Sequence, residues 1–171
     1  MLEIVNSGAT SIPEALKLVP GLIVREYTPG SYDVSIRGAS QIPFQYQIVN
    51  TRNILVMVDY RSLYSTYYGG MFWSNLPIDL VDVERIEVIE GPMASLYGPN
   101  VAGGIINIIT KKVEAKQVVR AITQQGLPFA TNNSLFIGKK LSDKLTISLS
   151  GNYSQKTRTK AEYFDFEQNK Y

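Results

Sequence analysis

The chain of 171 residues contains no cysteine and no histidine. Without cysteine there is no disulfide framework, no thiolate zinc site and no cysteine nucleophile. Without histidine the commonest general base and the commonest metal ligand are missing, so neither a Ser-His-Asp triad nor an HExxH zinc site can be built. Catalysis is disfavoured, and no metal or cofactor is expected. Long hydrophobic runs are missing too. The longest apolar stretch, residues 101–109, is interrupted by Gly103, Gly104 and Asn107. It falls short of the roughly 20 residues of a spanning helix and reads as a strand. The first residues lack the basic region, apolar core and small-residue cleavage site of a signal peptide, which fits either a cytoplasmic protein or one whose export signal is trimmed. Charge of one sign is equally scarce: 17 Lys and Arg face 15 Asp and Glu, a net +2 without a basic block, so nucleic acid is not an expected partner.

What is present describes a folded protein. Hydrophobic residues make up 44% and charged ones 19%, outside the range of disordered chains, and the length suits one domain or a smaller one with an appendage. Ser11-Ile12-Pro13-Glu14 predicts a capping box with proline in the first helical turn. Ala15, Leu16, Leu18 and Val19 supply the apolar face, and Pro20-Gly21 the stop. Strands are predicted over residues 22–27 and 32–37 around a Thr28-Pro29-Gly30-Ser31 turn. The run Ile54-Leu55-Val56-Met57-Val58 suits a buried central strand. Residues 60–73 are rich in Tyr and Gly and have no period. Residues 77–82 and 93–97 read as helical turns, residues 83–89 as an alternating strand, and residues 105–109 as a further strand. About the first 112 residues therefore predict one compact α+β domain. Gly91, Gly98, Gly103 and Gly104 suit tight turns or close backbone approach; no phosphate-loop pattern accompanies them.

The pattern changes from Val118 onward to longer alternating segments without helix signals. In residues 144–155, Leu145, Ile147, Leu149, Gly151 and Tyr153 fall on one face, and Thr146, Ser148, Ser150, Asn152 and Ser154 on the other. Roughly ten residues, apolar on one side and small-polar on the other, is the pattern of a transmembrane β-barrel strand, with Tyr153 suited to an aromatic girdle. A half-solvated strand of a soluble antiparallel sheet alternates in the same way. Residues 118–125 and 134–141 look like its partners, with Ser142-Asp143 as the turn. About three strands cannot close a barrel, which takes about 8, so the sequence reads as cut off at its C-terminal end.

Several motifs in order carry a resemblance. Ser11-Ile12-Pro13-Glu14-Ala15-Leu16 leading to Val19-Pro20-Gly21 resembles the opening of TonB-dependent receptor plugs, and Ile36-Arg37-Gly38 their "IRG". The strand ending at Asp59 resembles "VLVDG". The run from Val83 to Pro92, with Ser95-Leu96-Tyr97-Gly98, is similar to "VERIEVxRGPxSxLYG", and the run from Ala102 to Lys111 to "xGGVINIITK". The resemblance extends from Thr10 to Lys112. Two positions depart from it: Tyr60 stands where Gly usually follows the Asp, and Glu90 where an Arg usually precedes Gly-Pro. In many members that Arg joins the "IRG" Arg in a cluster facing barrel carboxylates, so Glu90 implies a rearranged cluster. The N-terminal segment and TonB box expected upstream are not in the sequence, which fits a trimmed fragment.

The resemblance implies an α+β plug with short helices and a small mixed sheet over residues 1–113. Antiparallel strands beginning a transmembrane β-barrel would follow over 114–171. It implies a receptor of the bacterial outer membrane that binds a scarce nutrient, such as an iron–siderophore complex or cobalamin, and releases it inward when TonB pulls on the plug. The implied partners are TonB with its inner-membrane energising complex and the small-molecule cargo. Arg37, Glu84, Arg85, Glu87 and Glu90 are the expected anchors of plug to barrel. Tyr60, Tyr64, Tyr67, Tyr68, Phe72 and Trp73, joined by Gln41, are the expected cargo contacts, because aromatic side chains bury large area at low entropic cost. The same architecture serves signalling or glycan import. Outside the family, a soluble α+β binding module remains the alternative.

Overall fold

The computed structural model describes residues 4, 6–28, 30–36, 51, 53–67, 69–92, 94–98, 101–126, 130–142 and 144–156. The first helix, α1 (Ile12–Leu16), starts where the capping signal predicts: the Ser11 hydroxyl accepts the Glu14 N–H at 3.4 Å. The reciprocal half of the box differs. The Glu14 carboxylate accepts from Thr10, one residue further upstream, because Thr10 offers it both its N–H at 2.7 Å and its hydroxyl at 2.5 Å. The helix also stops earlier than predicted. Ile12, Ala15 and Leu16 are buried, whereas Leu18 lies beyond the last turn and is half exposed.

Strands β1 (Leu22–Thr28) and β2 (Ser31–Ile36) form an antiparallel hairpin. Tyr32, Val34 and Ile36 of β2 enter the main core. A second sheet has the order β4 (Arg61–Ser62), β3 (Ile54–Val58), β6 (Gly104–Thr110), β5 (Val83–Glu90). Here β3 and β6 run parallel, and β4 and β5 flank them antiparallel, making the sheet mixed. The alternation of a strand sorts its side chains onto two faces. Ile54, Val56, Ile106 and Ile108 pack with α1 and β2, while Leu55, Met57 and Ile105 form a separate cluster with Val101. Burying each such side chain contributes about 1.5–3 kcal/mol, which is why β3 reads as an unbroken apolar run and residues 105–109 of β6 as one broken by Asn107 alone. Gly104 starts β6 at φ 150°, where an added Cβ would sit 2.3 Å from the Ile89 carbonyl oxygen. A 3-10 turn, Leu80–Asp82, takes the place of the helical turn expected at 77–82, and α2 (Ala94–Tyr97) the one expected at 93–97.

The remaining sheet is a meander of β7 (Gln117–Gly126), β8 (Ala130–Lys140) and β9 (Thr146–Lys156). Strands of 10, 11 and 11 residues have the length of barrel strands that cross a bilayer, about 9–11 residues. Strand β8 begins four residues before the expected start at 134, since Thr131, Asn132 and Asn133 carry no apolar signal yet pair with both neighbours.

The two faces of this sheet differ. The register sets Val119, Ile137 and Leu149 in one cross-strand row, Ala121, Leu135 and Gly151 in the next, and Thr123, Asn133 and Tyr153 in a third. Val119, Leu135, Ile137, Ile147, Leu149 and Tyr153 are exposed, Leu149 at 72%. On the other face Asn132, Ser134 and Phe136 of β8 are buried beneath the N-terminal α+β unit.

Candidate functional site

Three features bear on function: the seam between the α+β unit and the strand sheet, a polar chain across the mixed sheet, and the aromatic segment.

The seam is built from hydrogen bonds. On β7 and β8, the Gln124 side-chain amide donates to the Ala9 carbonyl and the Asn132 amide to the Thr10 carbonyl, each at 3.1 Å. Asp79 lies deeper. Its carboxylate accepts from the Ser134 hydroxyl and, at 3.1 Å, from the Asn152 amide, whose nitrogen also lies 2.7 Å from the Asn132 side-chain oxygen. Asp79 and Asp82 cap each other across the 3-10 turn, so the carboxylate that reaches the wall is rigidly placed. At the end of β9 the Lys156 ammonium donates to Glu14 at 3.2 Å and to Glu26 at 3.1 Å, an ion pair with α1 and β1 together.

Glu14 is the hub of this seam. Burial alone pushes its carboxyl up, but the Thr10 hydroxyl and N–H and the Lys156 ammonium outweigh burial and hold it down at about 2. The neighbouring Tyr32 phenol donates to Glu14 at 3.2 Å. Burial, reinforced by the Glu14 and Glu26 charges, pushes that phenol up to about 12.

A chain of bonds crosses the mixed sheet. The Tyr60 N–H donates to the Asn107 side-chain oxygen at 3.2 Å, and the Asn107 amide donates to Glu87 at 3.0 Å. Arg85 then donates to Glu87 at 2.8 Å and to Glu84 at 3.2 Å. Glu87 is held below the usual carboxylate range, first by the Arg85 bond and then by Asn107. Of the expected anchors, Glu84, Arg85 and Glu87 are thus joined along β5. Glu90 ends that strand with its carboxylate against Gly21, and Arg37 lies outside the described residues. Asp59 and Tyr60 form a two-residue hairpin loop between β3 and β4, with φ of 47° and 66°. Both central residues of such a loop need positive φ, which explains why the related pattern has Gly at the second; here Tyr60 occupies it, 66% exposed.

The aromatic residues separate. Tyr67 is 87% exposed in a turn closed by mutual Ser65 and Gly70 backbone bonds of 2.9 and 3.2 Å. Tyr64 is partly buried against the smaller core cluster, and Phe72 partly buried beside an open pocket of about 210 Å³. Trp73 is 5% exposed, in the core, with its indole N–H donating to the Thr51 hydroxyl at 2.9 Å. Tyr68 and Gln41 lie outside the described residues. The sequence reading missed Glu26, Asp79, Asn107, Asn132, Asn152 and Lys156. Asn107 carried a local signal as the single polar residue in an apolar strand, and Asn152 one as a polar-face position of an alternating segment.

Comparison with known proteins agrees with this geometry. Residues 2–105 match the family model for the TonB-dependent receptor plug domain. Over 168 residues the chain is 33% identical to the iron-regulated outer membrane virulence protein of Vibrio cholerae serotype O1, covering 89% of this chain and 23% of that protein. It is 36% identical over 112 residues to the vitamin B12 transporter BtuB of Photobacterium profundum, covering 63% of this chain and 16% of that one. Among solved structures, the ferric yersiniabactin uptake receptor FyuA from Yersinia pestis superposes with a TM-score of 0.66 at 22% identity, covering 87% of this chain and 22% of FyuA. The siderophore receptor PirA from Acinetobacter baumannii gives 0.61 at 26% identity, with 85% and 22% covered.

The chain belongs to the TonB-dependent receptor plug family, and its place is the bacterial outer membrane. It spans about a quarter of the length of the first of these relatives (23%).

Proposed function

We propose that the chain is the plug, residues 1–113, and the first barrel strands, residues 114–171, of an active transporter. It would bind a scarce nutrient such as an iron–siderophore complex and release it inward when TonB, powered from the inner membrane, draws on the plug. The observation that carries this reading is the contrast between the two faces of β7–β9. The outer face is an apolar band from Val119 to Tyr153, suited to lipid and a liability on a soluble module. The inner face holds the plug through side-chain hydrogen bonds and, among the described residues, two ion pairs that share Lys156.

Such a seam seals in one state and parts in another, since water replaces each bond that is lost. No covalent step is needed. Tyr60, Tyr67 and Phe72 are the aromatic cargo contacts we retain, while Trp73 serves the core. The β5 row of Glu84, Arg85 and Glu87 is the remaining anchor surface. The test is uptake of a ferric chelate by cells whose only receptor carries this chain, with TonB present or deleted. Uptake that requires both supports the reading; uptake unaffected by loss of TonB overturns the gating.

A further inference from the structure

The outer face of β7–β9 differs between its two ends. Its cross-strand rows follow one another at about 7 Å, two residues of a strand. Val119, Ile137 and Leu149 form an apolar row; toward one end lie Thr123, Asn133 and Tyr153, then Gln125, Thr131 and Gln155. Those last two rows carry amides, hydroxyls and one phenol, and no charge. Toward the other end the next row is Gln117, Lys139 and Ile147, and there the charge is basic. Residues 111–144 hold seven Lys and Arg against two acids, Glu114 and Asp143. Lys111 turns to the plug, its ammonium donating to the Val81 carbonyl, and Arg120 lies over the Phe136 ring on the inner face. Lys116, Lys139 and Lys144 are exposed and gather at one end of the sheet. Lys139 stands in register with Gln117 on the outer face. The Lys116 carbonyl accepts the Lys140 N–H at 3.1 Å, and Lys144 sits in the connection that the Leu145 N–H closes by donating to the Ser142 carbonyl at 3.3 Å. None of the three has a carboxylate partner among the described residues.

An exposed apolar band that ends in lysines matches a lipid tail and an anionic headgroup together. The stem of Lys139 extends the apolar surface of Ile137 while its ammonium reaches beyond it. Each lysine beside an anionic bilayer surface strengthens attachment about five-fold. We propose that Lys116, Lys139 and Lys144 form a headgroup site at this end of the barrel wall, which holds the phosphate of an anionic phospholipid whose acyl chains lie along Ile137, Ile147 and Leu149. The inference rests on the lipid-facing reading of β7–β9 and is independent of cargo and gating. The experiment uses the full-length receptor carrying this chain, reconstituted in phosphatidylcholine bilayers with a fluorophore on one introduced thiol as its only thiol. Gln117→Cys puts the label beside Lys139, Thr123→Cys puts it at the uncharged end, and Leu149→Cys within the band. Phosphatidylglycerol or phosphatidylcholine, each spin-labelled on an acyl chain, is titrated in as the quencher.

At position 117 the lysine-bearing receptor is expected to favour phosphatidylglycerol about ten-fold. The preference should fall to about two-fold or less when Lys116→Gln, Lys139→Gln and Lys144→Gln are combined, and also at 1 M salt, where screening acts within about 3 Å. At position 123 no preference is expected. Intact barrel migration on unheated gels shows that the variants fold. The same preference at both ends, or one at position 117 that survives the triple substitution, overturns the headgroup site, while quenching at position 149 by both lipids leaves the lipid-facing reading standing. No quenching at position 149 by either lipid overturns both.

Discussion

Replacing Glu14 with Gln removes one charge at the hub of the seam while keeping the side chain's shape. In the folded chain the carboxyl is held at about 2, against 4.5 for the free group. Because the carboxyl is only about half buried, solvent screening cuts the stabilisation of the charged, folded form that this depression implies to about 1–2 kcal/mol. The sign follows from the direction of the shift. The contribution is complete above pH 4.5, where the unfolded group is already ionised, and is lost as pH falls through the folded value near 2. Gln retains an oxygen for the Thr10 donors but turns an N–H₂ toward the Lys156 ammonium or the Tyr32 hydroxyl. About 2 kcal/mol of the local stability should be lost, since hydrogen bonds to charged groups are worth about 1.5–3 kcal/mol.

The assay is hydrogen exchange followed on the α1 peptide in the full-length receptor, which reads local opening independently of the barrel. A loss of about 2 kcal/mol makes exchange roughly 30-fold faster at pH 7. The wild type should also lose protection of α1 between pH 4.5 and 2, where the variant stays flat. Exchange within about two-fold of wild type at pH 7, with the same acid dependence, would refute the assignment of Glu14 as the hub.

Other changes test separate parts of the structure. Gly104→Ala places a Cβ against the Ile89 carbonyl at 2.3 Å and Ile36 at 2.9 Å, and should destabilise the plug by about 3 kcal/mol or more, read as a fall in its denaturant midpoint. Tyr60→Gly relieves a left-handed strain of about 1–2 kcal/mol and adds about 0.5–1 kcal/mol of unfolded-chain entropy; slower exchange of the β3–β4 hairpin amides, with weaker cargo binding, is expected. Asp79→Ala leaves the buried Ser134 hydroxyl without its acceptor and removes a turn cap, costing about 2–3 kcal/mol, which should appear as faster exchange of residues 79–83. Trp73→Phe keeps the core filled but loses the Thr51 bond, about 1 kcal/mol by plug denaturation.

Local pattern carried much of the fold. The alternation in residues 144–155 placed Leu149 and Tyr153 on the apolar face and Asn152 on the polar one, as the β8–β9 register has them. The unbroken apolar run of β3 marked it as a buried central strand, whereas β6, with Asn107 inside it, was legible only as a strand. Strand β4 escaped because its turn has Tyr60 where an Asp-Gly pair would have announced a hairpin. The start of β8 escaped because its residues are polar on both sides. The seam was the least legible part: Asp79 meets Asn152 and Glu14 meets Lys156 across 73 and 142 residues, and no local period reports such pairs. Glu14 was read for its helix cap alone, since the donors at Thr10, Tyr32 and Lys156 converge on it only in three dimensions. Trp73 reads as an exposed aromatic by its Tyr-rich neighbours, yet it is buried in the core and its indole N–H donates to Thr51, 22 residues upstream.

In the proposed transporter, plug and wall are held by releasable polar bonds and must part for cargo to pass. The chain contains no cysteine, so Asp79→Cys with Ser134→Cys introduces one thiol pair at a direct side-chain contact across the seam. The decisive measurement is TonB-dependent uptake of a ferric chelate by this double variant before and after bridging with a short thiol cross-linker, with chelate binding measured alongside. Uptake should fall to background on cross-linking and return on cleavage of the bridge, while binding persists throughout. Uptake at the uncross-linked rate through a fully bridged receptor would contradict the claim.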